Sequence, residues 1–270
     1  MKRLFAYPAD LYRNRKLILK LAVNDFKTKY AGSYLGIIWA FIQPVVTILV
    51  YWFVFSVGFR TGAGSLGIPF VLYLVAGIVP WFFFQDALNG GSNALIEYNY
   101  LVKKVVFNIS ILPVVKVLSA LFVHLFFVAF TLVLFMGYRK MPDLYTLQLI
   151  YYTFCVFMFV LGLSYLTSAV VVFFRDLTQI ISIVLQVGIW LTPIMWVAED
   201  NLAGHPAILK ILKLNPMYYV VSGCRDSLIS KKLIIDHPWW TLYFWTVTLL
   251  CLAVGTTVFR RLKIHFADIL

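Results

Sequence analysis

The chain has 270 residues, of which 62% are hydrophobic, 18% aromatic and only 13% charged. A soluble domain runs nearer about half apolar and about a quarter charged, so this chain carries too little polar surface to face water on all sides. A net charge of +12 would suggest nucleic acid in a soluble protein. Here the charges stand at the ends of apolar runs, which favours anionic lipid headgroups, and no basic face is interleaved with base-stacking rings, which argues against nucleic-acid binding.

Residues 1–30 are basic throughout and lack the compact apolar stretch and small-residue cleavage site of a secretory signal. Within them, Arg13, Lys16, Lys20, Asn24 and Lys27 share one helical face, while Tyr12, Leu19, Val23, Phe26 and Tyr30 share another. This pattern predicts a basic amphipathic helix over 11–31, lying along the membrane surface. Two uses fit it: a topology anchor, or a lever and docking surface for a partner on that side.

A spanning helix needs about 20 apolar residues, because the hydrocarbon core is about 30 Å thick. Six uncharged windows are long enough, at 30–59, 61–85, 117–138, 144–174, 177–198 and 237–259. They predict an all-α polytopic protein of one domain over 1–270, with spans at about 35–59, 67–90, 114–137, 146–173, 177–197 and 239–259. An even count puts both termini on one side. That side holds 15 of the 23 Lys and Arg residues, which predicts cytoplasmic termini.

The first span carries a stripe of small, polar and amphipathic aromatic residues at helical spacing: Gly36, Trp39, Gln43, Thr47, Tyr51 and Gly58. It reads as a helix–helix seam or as one wall of a wet cavity. A weaker stripe in the fifth span contains Ser182, Gln186, Pro193 and Trp196. Between spans two and three, 98–113 crowds apolar residues around Lys103 and Lys104 and ends in Pro113, unlike a polar connector. A short coupling helix over 98–108 is expected, with Leu101, Val105 and Val106 seeking headgroups or, as the better fit, a groove on a soluble subunit. The 199–236 segment is too apolar for a flexible loop and too interrupted by Pro206, Pro216 and Gly223 to span. It reads as outer re-entrant or interfacial helices.

Asp86 is a costly ionisable group within span two, hence a functional candidate or a snorkelling or capping residue. Lone His124 reads as a neutral packing residue. Glycine-rich 58–67 lacks the lysine and spacing of a phosphate-binding loop, and the histidines form no metal pair. Cys155, Cys224 and Cys251 are widely spaced and read as packing residues. Adjacent Glu199 and Asp200 read as a solvated turn rather than a catalytic dyad. No catalytic or metal site is therefore expected, and the chain is not an enzyme by itself.

Four stretches in order resemble the permease subunits of bacterial polysaccharide ABC exporters. They are KYAGSYLGIIWAFIQP at 29–44, with Gly32, Ser33, Leu35, Gly36, Trp39 and Pro44 in register, and LVKKVVFNISILP at 101–113. FRDLTQIISIVLQVGIWLTP at 174–193 and LNPMYYVVSGCR at 214–225 complete the set. A departure is Asn108–Ile109–Ser110, where such permeases commonly carry Pro, Arg and Glu.

The resemblance implies a homodimer in the bacterial cytoplasmic membrane with two copies of a separate ATPase subunit. ATP and Mg would be bound by that subunit, with no cofactor on this chain. It implies a polyprenyl-diphosphate-linked glycan carried from the inner to the outer leaflet. Within that class the compact length and absent cytoplasmic extension look most like the wall teichoic acid transporter subunit, with O-antigen or capsular polysaccharide exporter permeases as near rivals. The expected coupling residues are Tyr100, Leu101, Lys103, Lys104 and Phe107, with Arg175 and Asp176. The expected substrate path is lined by Trp39, Gln43, Thr47, Tyr51, Gln186 and Trp196, and Lys29 attracts the diphosphate. The other classes to separate from it are an integral-membrane transferase and a passive channel.

Overall fold

The computed structural model describes residues 11–29, 31–59, 67–103 and 107–270; they form helices and turns, with no strand among the described residues. In chain order the helices are α1 (Arg15–Thr28), α2 (Trp39–Trp52), α3 (Phe70–Glu97), α4 (Asn99–Val102), α5 (Leu112–Gly137) and α6 (Gln148–Val171). Then follow α7 (Leu177–Leu191), α8 (Ala198–Asn201), α9 (Pro206–Lys213), α10 (Pro216–Arg225), α11 (Pro238–Leu262) and α12 (Phe266–Ile269). Proline sets several of the starts. Pro113, Pro206, Pro216 and Pro238 each occupy the first or second helical position, where a missing N–H costs nothing and a fixed φ helps.

Among the described residues, five helical runs are long and apolar enough to cross a membrane: Gly36–Gly58, Phe70–Glu97, Ile109–Gly137, Leu144–Val171 and Pro238–His265. The sixth expected span, 177–197, is helical only over the 15 residues of α7. At 1.5 Å per residue that is about 22 Å, short of a bilayer core of about 30 Å. Beyond Leu191 the chain turns through Thr192 and Pro193 instead of continuing. The expected coupling helix over 98–108 contains one helical turn, α4, and Lys104, Val105 and Val106 lie outside the described residues, as does Tyr30. The 199–236 segment holds α8, α9, α10 and a π-helical turn at Asp226–Ser230.

α3 is the axis of the bundle. In its most apolar stretch, 78% of the residues are buried, against α5, α6 and α10. Small residues permit the closest approaches. A Cβ on Gly162 of α6 would come within 2.8 Å of the Leu252 backbone nitrogen of α11, so these two helices meet backbone to backbone. In contrast, α2 is wrapped on one side only, with 11% of its stretch buried. It leaves Leu49, Val50 and Phe53 exposed, and α7 leaves Ile183, Val184 and Val187 exposed. These faces require lipid or another protein surface. α2 widens at its end into a π-helical turn, Phe53–Gly58, a geometry that often marks functional positions.

α1 packs on the bundle through a face that the sequence reading did not single out. Its buried residues are Ile18, Ala22 and Asp25, a third face; Tyr12, Leu19 and Val23 are exposed alongside Arg13, Lys16, Lys20 and Lys27. The helix therefore docks on the bundle through a narrow stripe, with Phe26 half-buried against Phe122, and leaves Tyr12, Leu19, Val23 and the basic residues exposed to a membrane surface.

Candidate functional site

The end of the bundle that carries α1 is built around Asp25. Its Oδ1 accepts from the Lys116 ammonium at 2.6 Å and from the Tyr98 hydroxyl at 2.8 Å. Lys116, at the start of α5, also pairs with Glu97 at the end of α3, and its ammonium lies 5.1 Å from the Tyr98 ring centroid. Tyr98 is the residue between α3 and α4. Four groups thus tie α1, the α3–α4 junction and the start of α5 into one unit. Burial makes the pair consequential, since a charge taken from water must find its partner and its hydrogen bonds there.

α4 and the residues beside it lead from this clamp. Tyr100 is exposed, Leu101 half-buried, Val102 buried and Lys103 exposed, with Phe107 half-buried where the described chain resumes. Asn108, part of the departure from the resembled motif, accepts from the Ser110 backbone N–H at 3.3 Å and so caps the 3₁₀ turn leading into α5. The Tyr165 hydroxyl of α6 donates to the Ser110 carbonyl at 2.9 Å. Arg175 and Asp176 are exposed in the turn between α6 and α7 at this same end, and the Arg175 carbonyl accepts from the Thr178 hydroxyl at 2.9 Å.

Beside the clamp lies a polar cavity of about 360 Å³ between α1, α3 and α5. Asp25, Asp86, Glu97, Lys29 and Lys116 line it, one more acid than base. Lys29 is held by Asp86 of α3, both about two-fifths exposed. Such a pair stabilises by at most about 1 kcal/mol and exchanges readily with a competing anion. Asp86 and Asn89 also border a second cavity of about 290 Å³ between α2, α3 and α5. Its α2 wall is the expected stripe: Trp39, Gln43, Thr47 and Tyr51 all line it, opposite Gln85 and His124. His124 is a buried packing residue, stacked on Phe83 at 4.6 Å and hydrogen-bonded through Nε2 to the Thr153 hydroxyl at 3.1 Å.

Two expected path residues stand elsewhere. Gln186 is exposed on α7, and Trp196 follows α7, its indole N–H donating to the Trp190 carbonyl at 3.2 Å. The link between the α2 and α7 stripes is instead an edge contact between Tyr51 and Trp190, centroids 6.4 Å apart. Asp25, Tyr98, Glu97 and Lys116 escaped the sequence reading. The available signal was Asp25 itself, the one acid within 11–31, set among six basic residues.

These features define a helical membrane protein whose N-terminal helix and first interhelical turn are clamped together at one end, beneath a polar-to-aromatic cavity between its first helices. The chain belongs to the ABC-2 type transporter family, whose model matches residues 16–229. It is 29% identical to an O-antigen export system permease protein of Myxococcus xanthus, over 96% of this chain and 97% of that one. Two O-antigen export system permease proteins of Klebsiella pneumoniae are 26% and 25% identical, each over 94% of this chain and 95% of theirs.

Proposed function

We propose that the chain is the membrane subunit of an ATP-driven exporter that moves a polyprenyl-diphosphate-linked polysaccharide of the O-antigen class from the inner to the outer leaflet. The observation that carries this reading is the near-full-length similarity to three O-antigen export permeases. It moves the preferred cargo from the teichoic acid polymer expected from the sequence to an O-antigen-like glycan. The subunit works as a homodimer with two copies of a separate ATPase subunit, its termini on the ATPase side.

In this mechanism the ATPase grips the 98–107 segment, with Tyr100, Leu101, Lys103, Lys104 and Phe107 in its groove and Arg175 and Asp176 at its edge. When ATP closes the motor, this segment moves. Tyr98 passes the displacement to Asp25 and Lys116, so α1 and α5 shift together with the end of α3. The cavity wall of Trp39, Gln43, Thr47 and Tyr51 then moves against α7 through the Tyr51–Trp190 contact. With a second copy covering the exposed faces of α2 and α7, that motion opens an aromatic-lined lateral path, to which Gln186 and Trp196 contribute. Lys29 meets the substrate diphosphate by exchanging it for Asp86.

The test is co-purification. Tagged chain, extracted in mild detergent from its own cells, should bring down a phosphate-loop ATPase whose hydrolysis rises in its presence. A passive channel or a transferase would come down without one.

A further inference from the structure

At the end of the bundle opposite α1, a cavity of about 400 Å³ lies between α3, α6, α10 and the start of α11. Its floor is aromatic and buried: Tyr73, Tyr152 and Tyr218. Its rim is polar and exposed, with Glu199, Asp200, Ser230 and Lys232. The volume is that of a ligand pocket rather than a packing defect.

The floor is rigid because Arg225 pins it. The guanidinium of this buried residue donates to the Pro193 and Ile194 carbonyls at 2.7 Å each, and lies 3.6 Å from the Tyr73 ring centroid. These bonds satisfy the carbonyls left bare where α7 stops. Space for the guanidinium exists because residue 77 is glycine; a Cβ there would lie 2.8 Å from Arg225 Nη2. Tyr218 donates to Glu199 at 2.7 Å, and the Lys213 ammonium lies 5.8 Å and 5.9 Å from the Tyr218 and Trp240 ring centroids.

The charges decide the ligand class. Three acids, Glu199, Asp200 and Asp226, face three bases, Lys213, Arg225 and Lys232. Arg225 is already bound to two carbonyls, and Lys213 lies 3.6 Å from Glu199. An anion therefore gains little here, and a phosphodiester would meet a carboxylate beside each ammonium. A sugar ring presents an apolar C–H face for an aromatic ring and a rim of hydroxyls that both donate and accept. Carboxylates and an ammonium around the half-buried Trp240 ring match both surfaces.

We infer that this cavity is a binding site for one or two neutral sugar units, holding the emerging glycan by a ring face on Trp240 and by hydroxyls on Glu199 and Asp226. Its role in export rests on the reading above; the binding itself does not.

The test uses the full chain in lipid nanodiscs free of glycolipid and of glycoside detergent. Saturation-transfer difference NMR is recorded with methyl α-glucoside, methyl α-galactoside and methyl α-mannoside at millimolar concentration, and with glycerol 3-phosphate as the anionic arm. At least one glycoside should give a signal on its ring C–H protons. Trp240→Ala and Glu199→Gln, each checked for unchanged helix content, should weaken that signal about ten-fold, and glycerol 3-phosphate should give none. Silence from all three glycosides overturns the site, as does a signal unchanged in both variants, or equal saturation of glycerol 3-phosphate. Export by the same preparation is measured separately. Export without glycoside binding removes this inference alone, and glycoside binding without export removes the transport reading alone.

Discussion

Replacing Lys116 with Met removes the cation that joins α1 to the bundle. The side chains of Lys116 and Asp25 are 10% and 6% exposed, so the variant leaves Asp25 buried with Tyr98 as its donor. Breaking one side of a buried pair costs about 3–5 kcal/mol; the remaining Tyr98 bond and the half-exposed Glu97 place this case near the lower end, at about 3 kcal/mol. Asp25→Asn is milder. Lys116 keeps Glu97, and the new amide oxygen still accepts from Tyr98, so about 1–2 kcal/mol is expected. The double variant leaves no buried unpaired charge and should recover about 2 kcal/mol of the summed loss. Reversible unfolding by SDS from mixed micelles, followed by far-UV circular dichroism, measures the cycle. Hydrogen exchange over 15–28 should rise most in Lys116→Met. Effects that add within about 0.5 kcal/mol would refute the clamp.

Asp86→Asn removes the carboxylate that pairs with Lys29; binding of inorganic pyrophosphate to the purified chain should tighten a few-fold, and Lys29→Ala should abolish the gain. Lys103→Glu should leave the membrane subunit folded and lower its stimulation of the ATPase about ten-fold, measured as phosphate release by the reconstituted complex. Lys231 holds Asp143, in the turn between α5 and α6, below its ordinary value of 3.8, with Thr146 adding to the effect. A depressed carboxylate stabilises the fold above its ordinary range, and the contribution is lost as pH falls through the lower folded value. The melting temperature should therefore fall below about pH 4, and Asp143→Asn should flatten that decline.

Much of the membrane character was legible because bilayer thickness acts on composition directly. Uncharged windows of sufficient length revealed where helices would run, and five of those runs meet the length and composition of a span. The Trp39, Gln43, Thr47 and Tyr51 stripe was legible for a similar reason, since helical spacing alone puts these residues on one cavity wall. What the sequence concealed depends on long-range pairing. Asp25 meets Tyr98 and Lys116 across 73 and 91 residues, and no local pattern records such a partnership. The buried face of α1 follows from that pairing, so amphipathicity alone did not reveal it. The early end of α7 was half visible. Pro193 disfavours helix at Thr192, but the Arg225 bonds that hold the following turn come from α10, 32 and 31 residues further on. The cargo was the least legible feature, because a cavity lined by rings and amides suits several glycans.

The most direct test of the account is transfer itself. The chain and its co-purified ATPase are reconstituted in proteoliposomes with a polyprenyl-diphosphate-linked O-antigen glycan confined to the ATPase-side leaflet, and the glycan reaching the opposite leaflet is read with a membrane-impermeant lectin. The account predicts ATP-dependent appearance of the glycan, abolished by Lys103→Glu and weaker for a glycerol-phosphate polymer on the same lipid. Appearance without ATP, or none with an active ATPase bound, would contradict it.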